Sequence, residues 1–374
     1  ESASFPTTEP VGPGLGIPDD ATAVIVDSYE LEPAEIERSA RGLPLACIVD
    51  HLPPPQCSAV ISYHPDAAAR ISVPEGACPI LGLDYAPVSP EYLNARRRRE
   101  LAKALVTIGG GTLGSKILPL AVEALSQLGD LEIFVAAPPG TELPPSARND
   151  CVTVGFSPGG LVQRIAWADL AISAAGSTPY DLACAGVPAV LVPIADNQRP
   201  IAAAFAGRGL AFAADINDAV APTLSDVVRR LGDPGERARL AAAGPAAVDG
   251  YGAFRIRDAL TACWSGRPLP TPLRYLAEGG EVVALRGPEE VAVLRLSVSD
   301  GELELGFGRV GPGTDDGVLA RVVRETAELM LAARKDLTAV RAPHGLGDRC
   351  PSLDGGGIRA RRDGDGSVLL VRRR

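Results

Sequence analysis

Residues able to do chemistry gather at two glycine turns, each placed behind an apolar run. Lys103–Ile108 leads into Gly109, Gly110, Gly111 and Thr112, and Leu170–Ala175 leads into Gly176, Ser177 and Thr178. A glycine turn that opens a helix aims backbone N–H groups and the positive end of the helix dipole at one point, which suits a phosphate. Asp181 follows the second turn, and the apolar run Val187–Ile194 then leads to the polar tripeptide Asp196, Asn197, Gln198. Nucleotide binding is the chemistry this pattern predicts.

The rest of the chain must position those turns. At 374 residues it is long enough for two or three domains with their own cores. With 46% hydrophobic and 22% charged residues, it has the composition of a folded globular protein. A net charge of −10 argues against nucleic acid as a partner, because phosphate backbones demand clustered Lys and Arg. The basic run Arg96–Arg99 reads as a solvated linker or helix face. Seven cysteines without CxxC spacing speak against a disulfide scaffold or a zinc site, and no residue cluster demands a metal or cofactor. No apolar run has transmembrane length, and the N-terminus lacks a signal peptide's basic start and hydrophobic core. A reducing cytoplasm is the expected location. The chain begins with Glu1 rather than Met, so upstream sequence is expected to have been removed.

Strands alternating with helical segments predict an α/β class with parallel sheets. In residues 1–95, apolar runs at 23–26, 45–49, 59–62 and about 80 make a first Rossmann-like domain, shorter than a complete one. Residues 96–266 form a fuller doubly wound domain. Leu118, Val122, Leu125 and Leu128 recur there at helical spacing, and Ser225 reads as the N-cap of a closing helix. Residues 273–374 read as an α+β module. Asp300-Gly301 turns a hairpin, a helix runs from about Leu319 to Arg334, and strands lie near 337–341 and 368–371.

Six segments carry a family resemblance: Val26–Tyr29, Leu81–Glu91, Val106–Gly111, Ala168–Thr178, Ala195–Gln198 and Val248–Ala253. In this order they resemble the GT-B superfamily branch that includes the lipid-II-forming N-acetylglucosaminyltransferase. They are closer still to the UDP-sugar hydrolases of pseudaminic acid biosynthesis and the related spore-coat polysaccharide proteins. The resemblance implies that Gly109, Gly110, Gly111, Thr112, Gly176, Ser177 and Thr178 face the diphosphate of a UDP-sugar. It implies that Asp181, where relatives usually carry Glu, accepts hydrogen bonds from the ribose, and that Asn197 and Gln198 contact sugar or phosphate. Asp27 and Tyr29, in the family's Asp-x-Tyr position, would stand at the catalytic centre.

Relatives open with a strand, a glycine turn and a catalytic histidine. Here the histidines are His51, His64 and His344, none in such a motif, and Gly12–Gly16 reads as coil. His51 could replace the missing base. Residues 273–374 resemble a GNAT-type acetyltransferase module, yet Gly311–Gly317 carries Asp315 and Asp316 where a phosphate would rest, so a degenerate, structural or partner-binding role is expected. The leading functional expectation is hydrolysis of a UDP-linked deoxyamino sugar. The alternatives are a UDP-sugar-dependent glycosyltransferase and a catalytically inactive relative acting as a binding or scaffold protein. The sequence is silent on oligomeric state.

Overall fold

The computed structural model describes residues 17, 20–28, 31–50, 53–94, 101–108, 112–137, 141–143, 151–155, 160–214, 220–299, 302–343, 346, 353, 358–362 and 367–372. The chain divides into two compact units, Glu1–Pro90 with Tyr251–Arg374, and Glu91–Gly250. The α/β sheets expected of a GT-B-like chain are present, one in each unit, and all their described strand pairs are parallel.

In the first unit, β1 (Val24–Asp27), β2 (Leu45–Ile48), β3 (Ala59–Ser62) and β4 (Cys78–Leu81) lie side by side in sequence order. Helix α1 (Pro33–Ser39) carries β1 to β2, and the single turn α2 (Ala67–Arg70) stands between β3 and β4. Both faces of this sheet are covered, as a parallel sheet requires. Ile36, Leu45, Cys47, Cys57 and Val60 pack together in one core cluster. A second cluster joins Ala46, Ile61, Ile80 and Tyr85 to Ala259 and Leu260.

Glu91–Gly250 begins its sheet with β5 (Lys103–Thr107), followed by α3 (Thr112–Ser126), β6 (Glu132–Ala136), β7 (Val152–Gly155), α4 (Leu161–Trp167) and β8 (Leu170–Ala174). Then come α5 (Thr178–Ala185), β9 (Ala189–Val192), α6 (Arg199–Gly207), β10 (Phe212–Ala213), α7 (Val220–Leu231) and α8 (Pro234–Ala247). The strand order is β10-β9-β8-β5-β6-β7. Leu118, Val122 and Leu125 of α3 are buried in its core, and Leu128, just past the helix, packs against the same cluster. Ser225 lies inside α7 rather than at its N-cap, because that helix starts five residues earlier. Asp233 does cap α8, accepting the Glu236 N–H at 2.9 Å.

The remaining elements belong to the first unit. They are α9 (Gly252–Trp264), β11 (Arg274–Glu278), β12 (Glu281–Arg286), β13 (Glu289–Ser299), β14 (Glu302–Val310), α10 (Asp316–Ala333), β15 (Ala339–Arg341), β16 (Ile358–Arg362) and β17 (Val368–Arg372). Strands β11 to β17 form one sheet in the order β11-β12-β13-β14-β15-β17-β16, antiparallel except for β14 with β15. The partition expected at 1–95, 96–266 and 273–374 differs from this grouping in two ways: residues 273–374 do not separate from the first unit, and α9 joins it as well. That helix packs Ala259 and Leu260 onto the four-stranded sheet, so it groups with the first unit.

A buried polar network ties α9 to β11 and α10. Tyr251 donates to Glu328 at 2.8 Å, Tyr275 donates to Glu325 at 2.5 Å, and Arg321 pairs with Glu325 at 2.6 Å. Arg257 adds an ion pair to Glu328. Glu325 and Glu328 are almost wholly buried, which only such pairing makes tolerable.

Candidate functional site

Numbered from β5, the six-stranded sheet reads 3-2-1-4-5-6 from β7 to β10. The order therefore reverses between β5 and β8, which are hydrogen-bonded neighbours with Thr107 opposite Ser173. Helices packed after adjacent strands on opposite sides of such a reversal leave a crevice at the carboxyl ends, where open α/β sheets take ligands. Ile108 leaves β5 there, α3 resumes at Thr112, and Gly176, Ser177 and Thr178 lead β8 into α5. Gly109, Gly110 and Gly111 lie outside the described residues, as does the side chain of Thr112.

Around the second turn the geometry is explicit. Ser177 occupies the N-cap of α5, but its hydroxyl makes no capping bond. Pro179 near the helix start fixes the backbone without needing an N–H partner. Gly186 ends the helix with φ 67°, a left-handed cap that favours glycine. Tyr180 and Phe205 meet edge to face at 5.1 Å, packing α5 against α6.

Gln198 couples this turn to the one after β9. Its Oε1 accepts the N–H of Ala175 at 3.2 Å and the N–H of Ile194 at 3.0 Å. A Cβ on Gly176 would lie 3.8 Å from Gln198 Nε2, so the amide borders the glycine. One side chain thus holds two turns of the carboxyl edge together, a job that its sequence position did not announce. Asn197 beside it is exposed, and the neighbouring Asp196–Arg199 pair at 3.4 Å is solvent-facing and weak.

Asp181 sits in the first turn of α5, half-buried. Burial pushes its carboxyl up to about 6, while a hydrogen bond from the Tyr92 hydroxyl works in the opposite direction. Tyr92, in the 3-10 turn Pro90–Asn94, is itself buried, and burial followed by the Asp181 charge raises its hydroxyl above the ordinary range. One helical turn beyond Asp181, Cys184 is buried; burial, Asp249 and Asp181, in that order, raise its thiol. Sequence reasoning missed Tyr92 as a site residue. Its only signal was its place directly after the Leu81–Glu91 segment.

The carboxyl edge of the four-stranded sheet gathers a second set. Asp27 ends β1; partial burial and then the charge of Asp50 raise its carboxyl. Burial, Asp50 and Asp27 push Tyr63 up to about 12. His64 is buried, and its Nδ1 accepts the Asp66 N–H at 3.0 Å, so it is committed to the backbone. Tyr29, His51, His344, Gly12–Gly16 and Arg96–Arg99 lie outside the described residues.

Two of the resemblance-bearing segments do structural work. In Leu81–Glu91, Gly82 takes φ 104°, and the Asp84 carbonyl accepts from Arg255 at 2.8 Å while its carboxylate pairs with Arg274 at 2.5 Å. In Val248–Ala253, Gly250 takes φ 80°, and a Cβ on Gly252 would stand 1.9 Å from the Ala86 carbonyl oxygen. Only glycine fits at 252. At the Gly311–Gly317 turn, Asp315 accepts the Val318 N–H at 2.8 Å, so a carboxylate fills the N-terminal end of α10. Among the described residues no group of three or more His, Cys, Asp or Glu could hold a metal ion, and no helix is long and apolar enough to cross a membrane.

No protein-family model matches the chain. Over 161 residues it is 32% identical to the UDP-N-acetylglucosamine--N-acetylmuramyl-(pentapeptide) pyrophosphoryl-undecaprenol N-acetylglucosamine transferase of Halorhodospira halophila. That match takes in 38% of this chain and 45% of the relative, so less than half of the curated protein's length is spanned. Among solved structures it is similar to Acinetobacter baumannii MurG, at 20% identity over 60% of this chain and 69% of that one, with a TM-score of 0.46. It is also similar to the spinosyn rhamnosyltransferase SpnG complexed with thymidine diphosphate, at 19% identity over 57% and 66% of the two chains, with a TM-score of 0.43. The likeness in sequence is to a glycosyltransferase.

Proposed function

We propose that this chain is a GT-B-type glycosyltransferase whose Glu91–Gly250 unit binds a UDP-sugar. The observation that carries the reading is the reversal of strand order between β5 and β8, with a glycine turn behind each strand. In this reading Gly109, Gly110, Gly111, Thr112, Gly176, Ser177 and Thr178 offer N–H groups and hydroxyls to the diphosphate. Such donors stabilise the negative charge that grows on UDP as the glycosidic bond breaks. Asp181 accepts the ribose hydroxyls, and the Nε2 of Gln198, which borders Gly176, meets phosphate or sugar together with Asn197.

Asp27, raised by partial burial and then by the charge of Asp50, is the group we assign to activating the acceptor, with Tyr29 beside it in sequence. A carboxylate with a raised pKa is a better base at neutral pH than an ordinary one. Residues 273–374 are assigned a structural role, supported by the carboxylate cap on α10 and the buried Glu325 and Glu328 pairs. The location we assign is the cytoplasm.

This reading replaces sugar-nucleotide hydrolysis with the transferase alternative, on the sequence likeness to a transferase. Calorimetry with UDP and thymidine diphosphate, followed by UDP release from UDP-N-acetylglucosamine with and without acceptor, tests it. Acceptor-dependent release supports the transferase. Release without acceptor restores the hydrolase, tight binding without turnover marks an inactive binding protein, and absence of UDP binding overturns the assignment.

A further inference from the structure

A cavity of about 610 Å³ opens beside the amino-terminal ends of β2 and β3, among Glu37, Gln56, Cys57, Ser58, Cys263 and Trp264. It lies at the opposite end of these strands from Asp50 and Tyr63. Two of its lining residues are cysteines: Cys57, whose side chain interacts with Cys47 behind it, and Cys263, whose thiol donates to the Ser58 carbonyl at 3.2 Å with Cys78 beside it. None of the four is joined in a disulfide in this structure. Cys47 and Cys57 share one core cluster, whereas Cys78 and Cys263 pack with the other.

We propose that Cys57 and Cys47 form a thiol–disulfide exchange site that takes a small aliphatic disulfide, of the glutathione disulfide class, into this cavity. Cys57 is the attacking sulfur because it borders the cavity, with 9% of its surface exposed, while Cys47 at 2% lies behind it. The two thiols differ in character. The Cys47 thiol donates to Cys57, and with the Ala59 N–H this holds the Cys57 thiol below its ordinary value against burial and the Glu37 charge. Cys47 is raised in turn, first by that same bond and then by burial. In the second pair, burial and then Cys78 push Cys263 up to about 12, which keeps it a protonated, slow thiol.

The chemistry balances. The Cys57 thiolate attacks one sulfur of the small disulfide, that S–S bond breaks, and one small thiolate leaves and takes up the proton Cys57 had lost. Cys57 is now a neutral mixed-disulfide sulfur, so the bond that kept the proton on Cys47 has gone. Cys47 ionises, its thiolate attacks Cys57, and the second small thiolate leaves with the Cys47 proton. Two protein thiols are oxidised to one disulfide, and one small disulfide is reduced to two thiols.

The test incubates the reduced full-length chain with glutathione disulfide, quenches with acid, and maps disulfides by mass spectrometry. The expected product is a Cys47–Cys57 cross-link, with neither residue carrying glutathione. Cys57 should react faster than Cys263, whose thiol is held up by burial and donates to the Ser58 carbonyl. In Cys47→Ser the second step is impossible, so glutathione should accumulate on Cys57. Cys57→Ser should lose both the cross-link and the adduct. The exposed Cys151 reports that the reagent is active. If Cys151 is glutathionylated while wild type forms no Cys47–Cys57 bond, or if the adduct on wild-type Cys57 persists, the proposal is overturned. Should Cys47→Ser fail to fold, the wild-type map alone decides.

Discussion

The hydroxyl of Tyr92 donates to the carboxylate of Asp181, joining the 3-10 turn Pro90–Asn94 to the first turn of α5. Two opposing effects meet at that carboxyl. Burial raises it and the tyrosine bond pulls it down by favouring the ionised form, and the balance leaves it at about 6. Cys184 and Asp249 are the other titratable groups of this neighbourhood.

If Asp181 receives the ribose as a carboxylate, UDP affinity should fall as pH drops through about 6. Removing the tyrosine hydroxyl in Tyr92→Phe leaves burial unopposed, so the midpoint should move up by roughly one pH unit, equivalent to ~1.4 kcal/mol. The sign for stability runs the other way. A carboxylate raised on folding binds protons more tightly in the native state, so Asp181 favours folding more as pH falls from about 6 toward 4. Calorimetric UDP titrations of both proteins between pH 5 and 8 on the order of half-unit steps check this. An unmoved midpoint in Tyr92→Phe refutes the coupling.

Gln198 allows the clamp to be separated from ligand contact. Gln198→Ala removes the acceptor of the Ala175 and Ile194 N–H groups, which should cost about 1–3 kcal/mol of stability and loosen UDP binding together. Gln198→Glu keeps the acceptor oxygen but adds charge where the diphosphate is proposed to lie. It should retain its melting temperature more nearly than Gln198→Ala while losing at least about tenfold in UDP affinity. Equal UDP affinity for Gln198→Glu and wild type would place the diphosphate elsewhere.

Two glycines are set by close backbone approach. A Cβ on Gly244 would meet the Ala183 carbonyl oxygen at 2.4 Å, pushing α8 away from the helix that carries Asp181. Gly244→Ala should therefore destabilise by roughly 1–3 kcal/mol in urea titration and weaken UDP binding. Gly252→Ala, with its 1.9 Å contact to Ala86, should destabilise at least as much. Its damage falls on the first unit, so protease mapping should show cuts there first.

The network around Glu328 predicts a large penalty for removing one partner. Glu328→Ala leaves the Tyr251 hydroxyl and the Arg257 guanidinium without their shared carboxylate, at a cost of about 3–5 kcal/mol. Glu328→Gln should lose less, since its carbonyl still accepts from Tyr251. Chemical denaturation of the two variants distinguishes them, and equal stability would show that the loss comes from the charge alone, with the Tyr251 hydrogen bond contributing nothing.

Much of the fold is legible along the chain. Apolar runs of strand length alternating with helical spacing mark β1 to β9, and Asp300-Gly301 marks the β13–β14 hairpin, because these signals are local. Weak local signals hid others. The helices α4, α6 and α9, the two-residue β10 and the strands β11, β12 and β16 are not marked by local signals, since tertiary packing rather than periodicity sustains them.

What the residue order determined by itself was the class of chemistry at the turn after β8: small residues, an acid one helical turn on, and the polar tripeptide. Tertiary structure alone decided which of those side chains face a partner inside the protein. Gln198 spends its oxygen on two backbone N–H groups, Asp181 gains Tyr92 from far upstream, and Gly252 answers to Ala86. The physical reason is range. Propensity and periodicity act over a few neighbouring residues, whereas a hydrogen bond or a van der Waals contact depends only on distance in space.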